Sequence, residues 1–121
     1  MAIYSNLPVY QETYKLFLHF VKLASNMQRN FRYTLGEQTK MAIMDIMLNI
    51  FRANSNRDKV PFIKDAREKM IETQIIIRVL HETKQISLKQ FALLMEETTN
   101  VSKQLSNWEK SFYLNKTPKT P

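Results

Sequence analysis

Apolar side chains recur every three or four residues through four long segments of the chain, and short polar stretches separate them. That period is the signature of amphipathic helices. The first segment opens at Pro8, where a missing amide hydrogen costs nothing in a first helical turn, and runs to about Met27. Its core stripe reads Tyr10, Tyr14, Phe17, Val21 and Ala24, widened by Leu16, Phe20, Leu23 and Met27. Gln28 to Tyr33 reads as a connection. Thr34 followed by Glu37 has the spacing of a capping box, so the second helix starts at Leu35. It continues to about Asn54, where Asn, Ser and Asn side chains compete for the backbone. The third helix begins between Arg57 and Pro61 and ends near Glu82, with Ile63, Ala66, Met70, Thr73, Ile77 and Leu80 as its seam. Ser87 and Gln90 form another capping-box pair. The fourth helix therefore begins at Leu88 and carries the heptad Phe91, Leu94, Thr98, Val101, Leu105, Trp108 and Phe112.

Two of these helices carry more apolar surface than one core needs. At about 100° per residue, Gln38, Asp45, Asn49, Arg52 and Asn56 fall in one narrow polar stripe of the second helix. Met41, Ile43, Met44, Ile46, Met47, Leu48, Ile50 and Phe51 cover most of the remaining circumference. In the third helix Ile71, Ile75 and Val79 make a second row beside the seam. Each large side chain stabilises by roughly 1.5–3 kcal/mol when buried, so leaving all of them wet is costly. A thick, Met-rich single bundle is one account. A homo-oligomer that buries Met44, Met47, Phe51, Ile71, Ile75 and Val79 between subunits is the sharper one. The single glycine, Gly36, costs about 1 kcal/mol of helix propensity in the first turn of its helix, which points to close packing there.

Helices of about 20 residues rise ~30 Å, and connections this short make neighbours antiparallel. The expected fold is all-α: an up-down-up-down four-helix bundle in one domain over residues 1–114, with a disordered tail at 115–121. One Gly and four Pro leave little turn chemistry for hairpins. Cysteine is absent, which excludes disulfides and thiolate metal sites. No window approaches the ~20 apolar residues of a membrane span, and MAIYSNLPVY lacks the features of a signal peptide, so a cytoplasmic protein without a membrane partner is expected.

Charge adds a partner class. Lys plus Arg number 18 against 11 Asp plus Glu, a balance of +7 that suits contact with polyanions and also serves solubility alone. In an antiparallel bundle the first and third loops share one end, gathering Arg29, Arg32, His81, Lys84 and Lys89. The second loop and both termini share the other, gathering Arg52, Arg57, Lys59, Lys64, Lys110, Lys116 and Lys119. Catalytic chemistry has no candidate. His81-Glu82 opens like a zincin motif, but Gln85 stands where the second His belongs, and His19 has no His or carboxylate one turn away. Asp65, Glu68 and Glu72 read as a solvated face, and adjacent Glu96 and Glu97 point apart. No metal or other cofactor is expected.

Four strings carry a family resemblance: Tyr33-Thr34-Leu35-Gly36-Glu37; Asn49-Ile50-Phe51-Arg52-Ala53-Asn54-Ser55; Ile77-Arg78-Val79-Leu80; and Val101-Ser102-Lys103-Gln104-Leu105 with Trp108. In order and spacing, over about residues 7 to 112, they resemble the Avd family. These are four-helix accessory proteins of diversity-generating retroelements, related to proteins encoded in 23S rRNA intervening sequences. The resemblance implies a ring-like, pentameric homo-oligomer with a basic surface. Such a protein binds the retroelement's error-prone reverse transcriptase and its template RNA, with DNA as a second polyanion, and supports mutagenic cDNA synthesis without catalysing it. It implicates Arg52, Asn54, Arg78 and Lys103. Asn54 has a second reading as a helix cap, and Arg78 reads first as an intersubunit ion-pair partner. An intervening-sequence protein without a reverse transcriptase, and a structural or toxin-type interaction module with merely solvated ends, are the competing readings.

Overall fold

In the computed structural model the described residues are 3–116, and all their regular structure is helical. Four long helices are α1 (Pro8–Ala24), α2 (Leu35–Ser55), α3 (Val60–Glu82) and α4 (Leu88–Lys116). A 3-10 turn, Tyr4–Asn6, precedes α1, and a helical turn, Arg29–Arg32, fills part of the stretch expected to be a plain connection. Of the expected tail, Asn115 and Lys116 belong to the end of α4, and the remainder lies outside the described residues.

Each helix packs on its neighbours in sequence, and α1 closes the square against α4, with the α2–α3 pair the most extensive. This is the antiparallel four-helix bundle that the short connections require. Its core holds Leu16 and Phe20 of α1, Ile43, Ile46 and Ile50 of α2, Ile63, Met70, Ile77 and Leu80 of α3, and Leu94, Val101 and Leu105 of α4. The seam expected for α3 is buried at every position. Four core threonines satisfy their hydroxyls locally: Thr13, Thr39 and Thr73 donate to the carbonyl four residues back, and Thr98 to Met95.

Helix α1 is rotated from the expected phase. Val9, Thr13, Leu16, Phe20 and Ala24 are its buried positions, whereas Tyr14 and Val21 are exposed and Tyr10 and Phe17 half-buried. Two apolar stripes lie side by side on this helix, and the one containing two tyrosines, whose hydroxyls favour water, is left outside the core. Gly36 behaves as expected: a Cβ there would stand 3.2 Å from the Phe31 carbonyl oxygen, so the helical turn Arg29–Arg32 rests directly on α2.

The two capping-box patterns part company. At α4 the box forms: the Gln90 amide donates to Ser87 Oγ at 3.1 Å, and the Ser87 amide to Gln90 Oε1 at 2.9 Å. At α2 it does not. Thr34 has φ −119° and ψ −92°, outside the extended conformation that aims a hydroxyl at the N3 amide, and its Oγ1 donates back to Asn30 and Phe31. Glu37 pairs with Lys40 instead.

Candidate interaction surfaces

Part of the polar stripe of α2 faces α3, while Gln38, Arg52 and Asn56 stay exposed. Asn49 is buried, the Asp45 carboxylate stands 3.7 Å from Lys69 Nζ, and Gln38 Nε2 donates to Glu72 at 3.4 Å. With its polar edge used this way, α2 turns Met41, Met44, Leu48 and Phe51 outward on the side toward α1. There they meet the displaced aromatic stripe of α1, and a groove of about 350 Å³ runs between the two helices, lined by Tyr4, Tyr10, Tyr14, Phe17, Met44, Met47, Leu48 and Phe51. Edge-to-face contacts of Tyr4 with Tyr10 and Phe51, ring centroids 5.1 and 5.0 Å apart, close one end of it. Crowding by burial and the neighbouring phenols raises the Tyr10 pKa.

The second apolar face lies on α3. Ile71 and Ile75 are 58% and 57% exposed and point away from the core, with Val79 and Arg78 beside them. Of the expected interface residues, Met44, Phe51, Ile71, Ile75, Arg78 and Val79 are therefore on the surface. Met47 is not. At 6% exposure it is a core side chain that forms the floor of the groove. Arg78 makes no ion pair within the chain among the described residues.

The two bundle ends differ in how their cations are used. At the end formed by the first and third connections, the Gln28 amide donates to Gln85 Oε1 at 3.0 Å, which joins the loops. The third connection begins with a Schellman turn: the Gln85 amide bonds the Leu80 carbonyl and the Lys84 amide the His81 carbonyl, with Lys84 at φ 64°. Among the described residues Arg29, Arg32, Lys84 and Lys89 pair with no carboxylate. His81 stacks on Phe91, ring centroids 4.4 Å apart.

At the opposite end one cation is taken up by the fold. Lys59 Nζ donates to the carbonyls of Ala53 at 2.8 Å, Asn54 at 3.2 Å and Asn56 at 2.8 Å, so its three protons cap the C-terminus of α2. Lys59, expected among the ligand-contacting cations, caps α2 in this structure. Asn54 lies within the last turn of α2; the capping position falls to Asn56, whose Nδ2 donates to the Arg52 carbonyl at 2.7 Å. Nearby, buried Glu109 accepts from Arg67 Nη1 and from the Tyr113 hydroxyl, each at 2.7 Å. The Tyr113 bond, then the Arg67 bond, hold the Glu109 carboxyl below its ordinary pKa. Arg52, Arg57 and Lys110 remain exposed, and Lys103 lies midway along α4, apart from both ends. The sequence pattern passed over Arg67, Glu109 and Tyr113. The available signal was a carboxylate one turn after Leu105 on the core stripe of α4.

No group of three or more His, Asp or Glu residues among those described is placed to hold a metal ion. His19 Nδ1 meets Glu97 at 2.7 Å and ties α1 to α4. No described helix is long and apolar enough to cross a membrane.

The model of the 23S rRNA-intervening sequence protein family matches residues 5–107. The chain belongs to this family. A related fold is seen in the 1.70 Å crystal structure of a protein of unknown function from the S23 ribosomal protein family of Bacteroides thetaiotaomicron. It aligns with a TM-score of 0.78 at 19% identity, over 89% of this chain and 99% of that one. At that identity the likeness is one of fold. No curated protein matches the chain.

Proposed function

We propose that the protein is a non-catalytic, self-associating RNA-binding module of the intervening-sequence type. One observation carries this reading: a single small bundle has two separate apolar outer faces and, on two loops joined at one end, four cations that pair with no carboxylate among the described residues. The α1–α2 groove and the α3 row are different surfaces, so pairing one with the other is a head-to-tail contact, which forms a ring where its rotation closes. A ring repeats Arg29, Arg32, Lys84 and Lys89 around one rim, and repeated charge is what a long polyanion rewards. Membership of a family named for an rRNA insertion supports RNA as that polyanion.

The test is binding of a structured RNA as a function of salt. Phosphate contacts release counterions, so affinity falls steeply as salt rises, and removing one contact lowers the slope by about 1. Arg29→Ala and Lys89→Ala are each expected to do so with the helical content unchanged. Binding that ignores salt, or no binding by the wild type, overturns the reading.

The motif strings around Gly36, Arg52, Arg78 and Lys103 favour a second, finer reading: a pentameric accessory subunit of an error-prone reverse transcriptase. Co-purification with a polymerase encoded beside its own gene supports that reading, and the absence of such a gene removes it.

A further inference from the structure

The basic end contains an aromatic ring that phosphate binding does not use. Tyr33 stands between the helical turn Arg29–Arg32 and the start of α2, and is 62% exposed. Its hydroxyl has no hydrogen-bond partner among the described residues. The Arg32 guanidinium lies over the ring, 5.8 Å from its centroid. That guanidinium is fixed by a bond from its Nη2 to the Met27 carbonyl at 3.2 Å, while its solvent-shielded Nε has no partner. A planar ring is therefore backed by a positioned cation on one face and open to solvent on the other. Arg29, Lys84 and Lys89 belong to the same bundle end, whose two connections are joined by the Gln28–Gln85 bond.

We propose that Tyr33 is a stacking platform for an unpaired RNA base, so that this end selects single-stranded or looped RNA over continuous duplex. The inference rests on the phosphate-binding reading and adds the ligand's form. Aromatic stacking tolerates any base, because every base has a π face, and a base within a duplex has both faces already covered. Arg32 behind the ring strengthens the site in a second way, since its charge reaches the adjacent phosphate.

The experiment compares a labelled oligouridylate with a blunt RNA duplex of matched length, by fluorescence anisotropy at one salt concentration, on the full chain and its variants. Tyr33→Ala is expected to weaken single-strand binding about 10-fold and duplex binding less than about 2-fold, whereas Tyr33→Phe retains both. Tyr33→Leu, which keeps apolar bulk without a π face, gives the same split as alanine. Equal losses on the two RNAs, or no loss on the single strand, overturn the platform. If the wild type binds both RNAs and Tyr33→Ala changes neither, this inference alone fails. If the wild type binds neither, the phosphate-binding reading fails and takes this one with it.

Discussion

Lys84 occupies the left-handed position of a Schellman turn that glycine usually fills, and it does so with φ 64°. A side chain there costs about 1 kcal/mol. Lys84→Gly is therefore expected to raise the unfolding free energy by about that much in urea titrations while weakening RNA binding. A merely structural lysine would move only the first quantity. Glu109 is the residue-scale counterpart at the other end. Its folded pKa is depressed, chiefly by Tyr113 and then by Arg67. The stability it contributes is complete above the unfolded glutamate value, about 4.3, and is lost as pH falls through the lower folded value. Glu109→Gln removes that acid limb, so its unfolding free energy should depend less on pH below about 4.3 than the wild type's. A constant gap between the two proteins across the series would contradict the assignment. Charge places Lys84 at its end and the α4 stripe carries a carboxylate after Leu105, but the left-handed turn and the cross-helix bond between positions 67 and 109 leave no periodic trace in sequence.

At the scale of elements, two capping boxes with the same spacing had different fates. Ser87 and Gln90 bond reciprocally, whereas Thr34 is turned away by the helical turn that precedes it. Ser87→Ala should cost about 1 kcal/mol, and Thr34→Ala under about 0.5 kcal/mol, in equilibrium denaturation. Equal losses would mean that the Thr34 hydroxyl caps α2 in solution. The same limit explains α1. Periodicity identified a helix there, yet with two apolar stripes side by side it could not say which one faces inward. The stripe left outside the core, with Tyr14 exposed and Tyr10 half-buried, is the one whose tyrosines the pattern counted as apolar although each carries a hydroxyl that favours water. On α3 and α4 one stripe dominates, and the buried positions Ile63 to Leu80 and Leu94 to Leu105 followed from spacing.

For the whole molecule, the bundle was readable because four periodic segments joined by short connections admit few arrangements. The grouping of loops by end was equally readable and follows from the same topology. What sequence could not supply was which cations the fold takes up, as it does Lys59 at the end of α2, because that depends on where helix termini and carboxylates stand around each one. The outer faces make a prediction at this scale. If the chain self-associates as proposed, Ile71→Asp with Ile75→Asp should give helical monomers by light scattering or sedimentation. Met47→Asp should instead unfold the bundle, because its side chain is in the core. A wild type that is monomeric at high concentration would remove the head-to-tail account.

Lys59 has a consequence beyond stability. Its ammonium is spent on the end of α2, so contact at that end falls to the exposed Arg52, Arg57 and Lys110. The two ends therefore hold their cations on different scaffolds, one on a closed helix terminus and the other on two loops tied by Gln28 and Gln85. In the proposed head-to-tail ring every subunit points the same way, so the two rims would differ in kind and the ring would have a direction.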